Sequence, residues 1–120
     1  MLRAAVPVLV VTSIEVAKRH YCEGLGFQVL STYQLGENQL DPAYLVIRRE
    51  GATLRLSSFS GDGSPGHHVA IGVDDVDALH VELVGRGVAI QMPPTDQSWK
   101  VREMVVADPA GNQIAFQQGL

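Results

Sequence analysis

One cysteine, four histidines and thirteen acidic side chains are the groups of this 120-residue chain that could carry chemistry, and their spacing joins few of them. Cys22 follows Tyr21 in a segment of helical spacing, with no base fixed beside it, and reads as a half-buried structural thiol. Asp74-Asp75 stand just before an apolar helical run. Carboxylates there accept the free N–H groups of a first turn, so the pair reads as helix caps rather than metal ligands. Glu103 is a candidate general base, but Arg102 beside it makes a structural ion pair the simpler reading. His68 opens an apolar strand. It is either a polar contact for a ligand or a histidine merely satisfied at a strand start, and His67 next to it is expected to turn the other way, to solvent. No Gly-x-Ser-x-Gly elbow and no phosphate-binding loop is present. Trp99, the only tryptophan, lies in a polar segment, where a large aromatic needs something to cover. It reads as a stacking wall for a planar ligand, with a loop anchor as the alternative. Tyr33, Tyr44 and Phe59 are further candidate walls, and Tyr44 and Phe59 could instead be core.

Composition narrows the function classes. The length suits one compact domain. Net charge is −4, and the basic pair Arg48-Arg49 is followed at once by Glu50. Phosphate binding needs clustered Lys and Arg, so nucleic acid is not an expected partner. A single cysteine excludes an internal disulfide and fits a reduced compartment. The apolar run Ala4 to Val11 contains Pro7, lacks a small-residue cleavage site and is too short to span a bilayer, so neither a signal peptide nor a membrane is expected. A cytoplasmic location is the expectation.

An internal repeat sets the organisation. Val6-Pro-Val-Leu-Val-Val-Thr-Ser-Ile14 aligns with His68-Val-Ala-Ile-Gly-Val-Asp-Asp-Val76, each an apolar strand, two capping residues and the first apolar residue of a helix. Later, Gly51-Ala-Thr-Leu-Arg-Leu-Ser57 aligns with Gly111-Asn-Gln-Ile-Ala-Phe-Gln117, and Tyr44-Leu-Val-Ile47 with Met104-Val-Val-Ala107. Pattern, order and spacing agree, which marks a duplicated module. The first helix is expected to start at Thr12, where Thr-Ser-Ile-Glu15 is a capping box. Ile14, Ala17, Tyr21 and Leu25 share one face of it, and Gly24 and Gly26 stop it. The second starts at Asp74-Asp75, has Val76, Leu79 and Leu83 as its inner face, and closes at Gly85 and Gly87. Three strands follow each helix, near Phe27–Leu35, Tyr44–Arg49 and Thr53–Phe59, then near Val88–Met92, Arg102–Ala107 and Gln113–Gln117. Glu50-Gly51 and Asp108 to Gly111 are the hairpin turns, and Gly36–Pro42 and Pro93–Ser98 are loops. The chain thus divides into a module at 1–59, a small-residue linker at 60–66 and a module at 67–120. The fold class is α+β, two four-stranded antiparallel sheets, each with one helix outside, whose inner faces enclose a cleft. Alternation sends Leu54 and Leu56 under the helix and Thr53, Arg55, Ser57 and Phe59 into the cleft, with Gln113, Ala115 and Gln117 as their counterparts.

Several motifs together resemble the glyoxalase/bleomycin resistance/dioxygenase (vicinal oxygen chelate) superfamily. They are Val6-Pro-Val-Leu, Leu25-Gly-Phe27, His68-Val-Ala-Ile, Val73-Asp-Asp-Val76, Trp99-Lys-Val-Arg-Glu103 and Asp108-Pro-Ala-Gly-Asn112, and they span nearly the whole chain. The stretch Pro93–Glu103 resembles the bleomycin-resistance-protein branch. The resemblance implies the two-βαβββ-module fold and four inner positions where metal-using members carry His or Glu. Here these are Val6, Arg55, His68 and Ala115. One competent ligand falls short of the three that catalytic divalent metals usually take, and Arg55 would repel the ion. No metal, no cofactor and no catalytic residue is therefore expected.

What remains is a binding cleft. Covering about 300 Å² of ligand and aromatic surface yields about 7–8 kcal/mol gross, while micromolar retention needs about 8 kcal/mol net of association losses. One aromatic wall is insufficient. The resemblance supplies a homodimer with clefts between subunits and the first strand exchanged. The expected function is non-catalytic sequestration of an antibiotic or similar bulky aromatic natural product, of bleomycin, enediyne or quinone type, giving resistance. Trp99, Tyr33, Tyr44 and Phe59 would supply apolar surface, Arg55, Ser57, His68 and Gln117 polar contacts, and Arg102 and Met104 complete the expected ligand-binding set. A metal-dependent enzyme of the superfamily (a lyase, epimerase or dioxygenase) and a metabolite- or flavin-binding accessory protein are the alternatives.

Overall fold

The computed structural model describes residues 1–120. The chain runs through β1 (Val8–Val10), α1 (Ile14–Lys18, continued by a π-helical turn over Arg19–Gly24), β2 (Gln28–Gly36), β3 (Gln39–Arg49) and β4 (Ala52–Ser57). After a short 3₁₀ turn at Ser60–Asp62 come β5 (His68–Gly72), α2 (Val76–Gly85), β6 (Met92–Asp96), β7 (Val101–Ala107) and β8 (Gln113–Gly119). The strands form two four-stranded sheets, ordered β1-β4-β3-β2 and β5-β8-β7-β6. This is the α+β architecture of two βαβββ modules.

Local chemistry explains the helices. Ser13, not Thr12, is the first cap: its hydroxyl accepts from Val16 N. Asp75 caps α2 by accepting from Ala78 N at 3.0 Å. Both helical segments end on a residue that reverses the backbone, Gly26 at φ 80° and Gly87 at φ 83°, a conformation that glycine alone adopts without strain. Ile14, Ala17, Tyr21 and Leu25 are buried, as are Val76 and Leu83, with Leu79 packed against the same core.

The sheets depart from the expected pairing in three ways. Each is mixed, because β1 runs parallel to β4 and β5 parallel to β8. The helix returns the chain between the first and second strands, so the last strand of each module points the way the first did. The sixth strand is Met92–Asp96, not Val88–Met92. It includes Pro93 and Pro94, which an edge strand tolerates because a missing N–H there breaks no ladder. The strand β3 begins at Gln39, so much of the expected Gly36–Pro42 loop is sheet and the turn is Glu37-Asn38.

One core serves both halves. Tyr21, Leu45, Ile47 and Leu56 belong to the same apolar cluster as Val76, Leu83, Met104 and Ile114. Polar contacts cross the same boundary. The Tyr21 hydroxyl donates to Asp108 Oδ2 at 2.8 Å, and Asn112 Nδ2 donates to the Val10 carbonyl at 2.8 Å. Arg49 donates to both oxygens of Glu82, at 2.8 and 2.9 Å, and to the Leu25 carbonyl at 2.9 Å. That hydrogen-bonded pairing holds the Glu82 carboxyl below the ordinary carboxylate range and the Arg49 guanidinium above its usual value. Packing through the helix-bearing side leaves both opposite sheet faces open, and those faces are the inner faces of the two modules.

Candidate binding site

Strand register assigns the inner faces. In the first sheet, Tyr33 opposes Tyr44, Tyr44 opposes Ser57, and Ser57 opposes Val10, in one row across four strands. The next row is Ser31, Val46, Arg55 and Val8. The alternate residues Ala43, Leu45, Ile47, Leu54 and Leu56 are buried beneath the helix. Tyr33 and Phe59 stack at 6.1 Å between centroids, with planes 29° apart, and Tyr33 is 60% exposed. The structure therefore joins Tyr33, Tyr44 and Phe59 into one aromatic patch, with the exposed Arg55 in the adjacent row. Ser57 shares that face but is fully buried, and its hydroxyl donates to Asp62 at the 3₁₀ turn, so it is spent on structure.

In the second sheet the inner face carries His68, Ala70 and Gly72 of β5, Gln113, Ala115 and Gln117 of β8, and Glu103 and Val105 of β7. His68 is exposed at the start of β5. His67 is half-exposed, and its Nε2 is buried without a partner. Trp99, in the turn between β6 and β7, is 59% exposed. Gln117 opposes Glu103, and its side-chain amide donates to Glu103 Oε1 at 2.8 Å.

Two expected contacts fall on the wrong side of the sheet. Met104 is fully buried in the shared core, and Arg102 reaches α2, donating to Asp77 at 2.9 and 3.0 Å and to Asp96 at 3.0 Å. These bonds hold Asp77 below its usual range and Arg102 above its own. Neither side chain lines the inner face, and the expected Arg102–Glu103 ion pair does not form. The cause is a one-residue slip. Arg48 pairs with Thr53 in the first module, whereas Ala107 pairs with Gln113 in the second, so the second hairpin is one residue longer. The structural counterpart of Tyr44 is therefore Glu103, not Met104, and a slip of one residue turns every side chain to the opposite face. Glu103 is the inner-face residue that sequence reasoning set aside. The five-residue turn Asp108–Asn112, against Arg49–Ala52, is the signal that would have found it.

The four corners where related folds hold metal are Val6, Arg55, His68 and Ala115. Only His68 offers a ligand atom, and Arg55 brings a positive charge, so the donor set does not fit a divalent ion. No group of three or more His, Cys, Asp or Glu side chains could hold one.

A cavity of about 670 Å³ lies away from the aromatic patch. It runs between Ala5, Pro7 and the Glu50–Leu54 stretch on one side and β5 with the start of α2 on the other. None of Tyr33, Tyr44, Phe59 and Trp99 lines it. Tyr33, Arg55, His68, Ala70 and Gly72 remain exposed, so the inner faces of one chain do not close on each other as a cleft. No helix is long and apolar enough to cross a membrane.

The model of a family described as Glyoxalase superfamily protein matches residues 1–119. No curated protein matches the chain. Among solved structures, TnmS3, an antibiotic binding protein from Streptomyces sp. CB03234, is 30% identical, with 100% of this chain and 99% of that one covered and a TM-score of 0.75. The bleomycin-binding protein from bleomycin-producing Streptomyces verticillus, complexed with copper(II)-bleomycin, is 26% identical, with 100% and 98% covered and a TM-score of 0.77. A glyoxalase/bleomycin resistance protein from Streptomyces sp. CB03234 is 30% identical, with 95% and 100% covered and a TM-score of 0.71. With its paired βαβββ modules, the chain belongs to the glyoxalase superfamily, in the branch that resembles bleomycin resistance proteins.

Proposed function

We propose that this protein is a non-catalytic binder that sequesters an antibiotic or similarly bulky aromatic natural product in the cytoplasm and so gives resistance. One observation carries the reading: the first inner face presents an aromatic patch, while Val6, Arg55, His68 and Ala115 together make no metal-ligand set. Tyr33 stacks on Phe59 beside Tyr44, and Trp99 stands exposed on the other module. The antibiotic-binding and bleomycin-binding relatives point the same way.

The functional unit is a homodimer. Each cleft joins the first-module face of one chain (residues 1–59) to the second-module face of another (residues 67–120), across the linker at 60–66. The chain exposes 7024 Å² for a mass of 12.9 kDa, where a monomer of that mass exposes about 6,300 Å². The excess is close to the about 800 Å² that each partner buries in a standard interface. The strand β5 is an edge with unpaired backbone groups, the cavity beside it mixes apolar side chains such as Val69, Ile71 and Phe116 with polar ones, and Met1 and Leu2 are exposed. The first strand, Val8–Val10, pairs with β4 of its own chain, so the exchange is confined to the segment before it: Met1–Val6, passed between copies, would cover that edge.

Calorimetric titration of bleomycin and of an anthraquinone antibiotic into the purified protein tests the function. Saturable binding of one molecule per chain, with no chemical change in the recovered drug, is expected. Recovery of an altered drug would overturn the non-catalytic reading.

A further inference from the structure

Glu103 is the only acidic side chain that the four strands of the second sheet place on the inner face. It is 7% exposed. Its single hydrogen bond is the one from Gln117 to Oε1, at 2.8 Å. Oε2 has no hydrogen bond, and none of the chain's ion pairs includes Glu103. Arg102, its neighbour in sequence, is held on the opposite face by Asp77 and Asp96. Oε2 is not sealed from the open inner face, and a carboxylate with one neutral amide donor has room for more, since its two oxygens take about four. It is a site waiting for a donor.

We propose that Glu103, oriented by Gln117, receives a protonated amine of the ligand. This rests on the binding function proposed above and names its ligand class: a planar aromatic body bearing carbonyl oxygens and one basic amine. A guanidinium is a poorer match, because its bidentate grip needs both oxygens and Oε1 is already engaged. A metal ion is a poorer match because no acidic or imidazole cluster accompanies the carboxylate. The other inner face supplies the remaining parts. Tyr33 and Phe59 offer the ring surface. The Arg55 guanidinium, exposed and in no ion pair of the chain, suits carbonyl oxygens.

The test compares daunorubicin, a planar quinone with a basic amino sugar, with its N-acetyl derivative, which keeps the ring system and loses the charge. Both are titrated into the native protein and into Glu103→Gln by equilibrium dialysis. The native protein should bind daunorubicin at least about tenfold tighter than the acetylated form, as a charge-assisted hydrogen bond implies. Glu103→Gln should abolish that preference, weakening daunorubicin far more than the acetylated ligand. Equal affinities on the native protein, or a preference that survives the substitution, would overturn the amine subsite while leaving drug binding intact. Binding of neither compound would overturn the sequestration reading for this ligand class, and the subsite with it. Sedimentation of Glu103→Gln is the remaining arm. A variant that dissociates while native protein dimerises would assign the carboxylate to the subunit interface and refute the proposal. The native two-ligand comparison decides the case even if the variant fails to fold.

Discussion

Asn112 Nδ2 donates to the Val10 carbonyl at 2.8 Å, tying the last hairpin turn of the chain to its first strand. The same amide donates to Asp108 Oδ2, and Asn112 Oδ1 accepts from Gly66 N and His67 N. Asp108 in turn accepts from the Tyr21 hydroxyl. Tyr21, Asp108 and Asn112 are all buried, so a bond lost here leaves a buried polar group unpaired. Asn112→Ala should cost about 2–4 kcal/mol of folding stability, and Tyr21→Phe about 1–2 kcal/mol. Urea unfolding measures both, and a smaller loss for Asn112→Ala than for Tyr21→Phe would contradict the network.

His20 adds a pH dependence. Burial pushes its pKa below the ordinary imidazole value, an effect partly offset by Asp108. Its Nε2 is buried without a partner. A histidine whose folded pKa is depressed binds protons better when unfolded. Its contribution is intact above the unfolded value of about 6.5 and is lost as pH falls below it. The urea midpoint should therefore fall between about pH 7 and pH 5, and His20→Gln should flatten that decline. An unchanged slope in His20→Gln would assign the acid sensitivity to other groups.

The placement of Met104 and Arg102 makes a paired prediction. Met104→Ala should destabilise the fold by about 2–5 kcal/mol, as core truncations do. Arg102→Gln removes two surface ion pairs, to Asp77 and Asp96, and should move the midpoint little. Neither should change the affinity of folded protein for its ligand. A loss of affinity in stable Arg102→Gln protein would show that Arg102 reaches the ligand after all.

These two residues show where the sequence was legible and where it was not. Capping residues and the 3.6-residue spacing located both helices, the first with its cap one residue early at Thr12, because Ser13 and Asp75 act within their own turn. Alternation in β4 correctly sent Leu54 and Leu56 to the core. The duplicated pattern carried the topology. It failed at β7, because apolar alternation does not reveal the length of the preceding or following turn. The second hairpin closes at Ala107 and Gln113, one residue later than its counterpart. Pro93-Pro94 hid β6 for a different reason: strand propensity counts proline against any strand, and only the finished sheet shows that this one is an edge.

The proposed homodimer makes its own prediction. Sedimentation equilibrium should give a mass about twice 12.9 kDa, and removal of Met1 to Val6 should shift the population towards single chains. A truncated protein that remains fully dimeric would contradict the exchanged segment.

Trp99 is the only indole in the chain and stands exposed, so its emission reports directly on whether an aromatic ligand settles against it. Titration with bleomycin and with an anthraquinone antibiotic, followed by tryptophan fluorescence, is the sharpest measurement. Sequestration predicts a saturable change with a midpoint at about micromolar ligand or below. Constant emission with every such compound, at concentrations far above that, would contradict it.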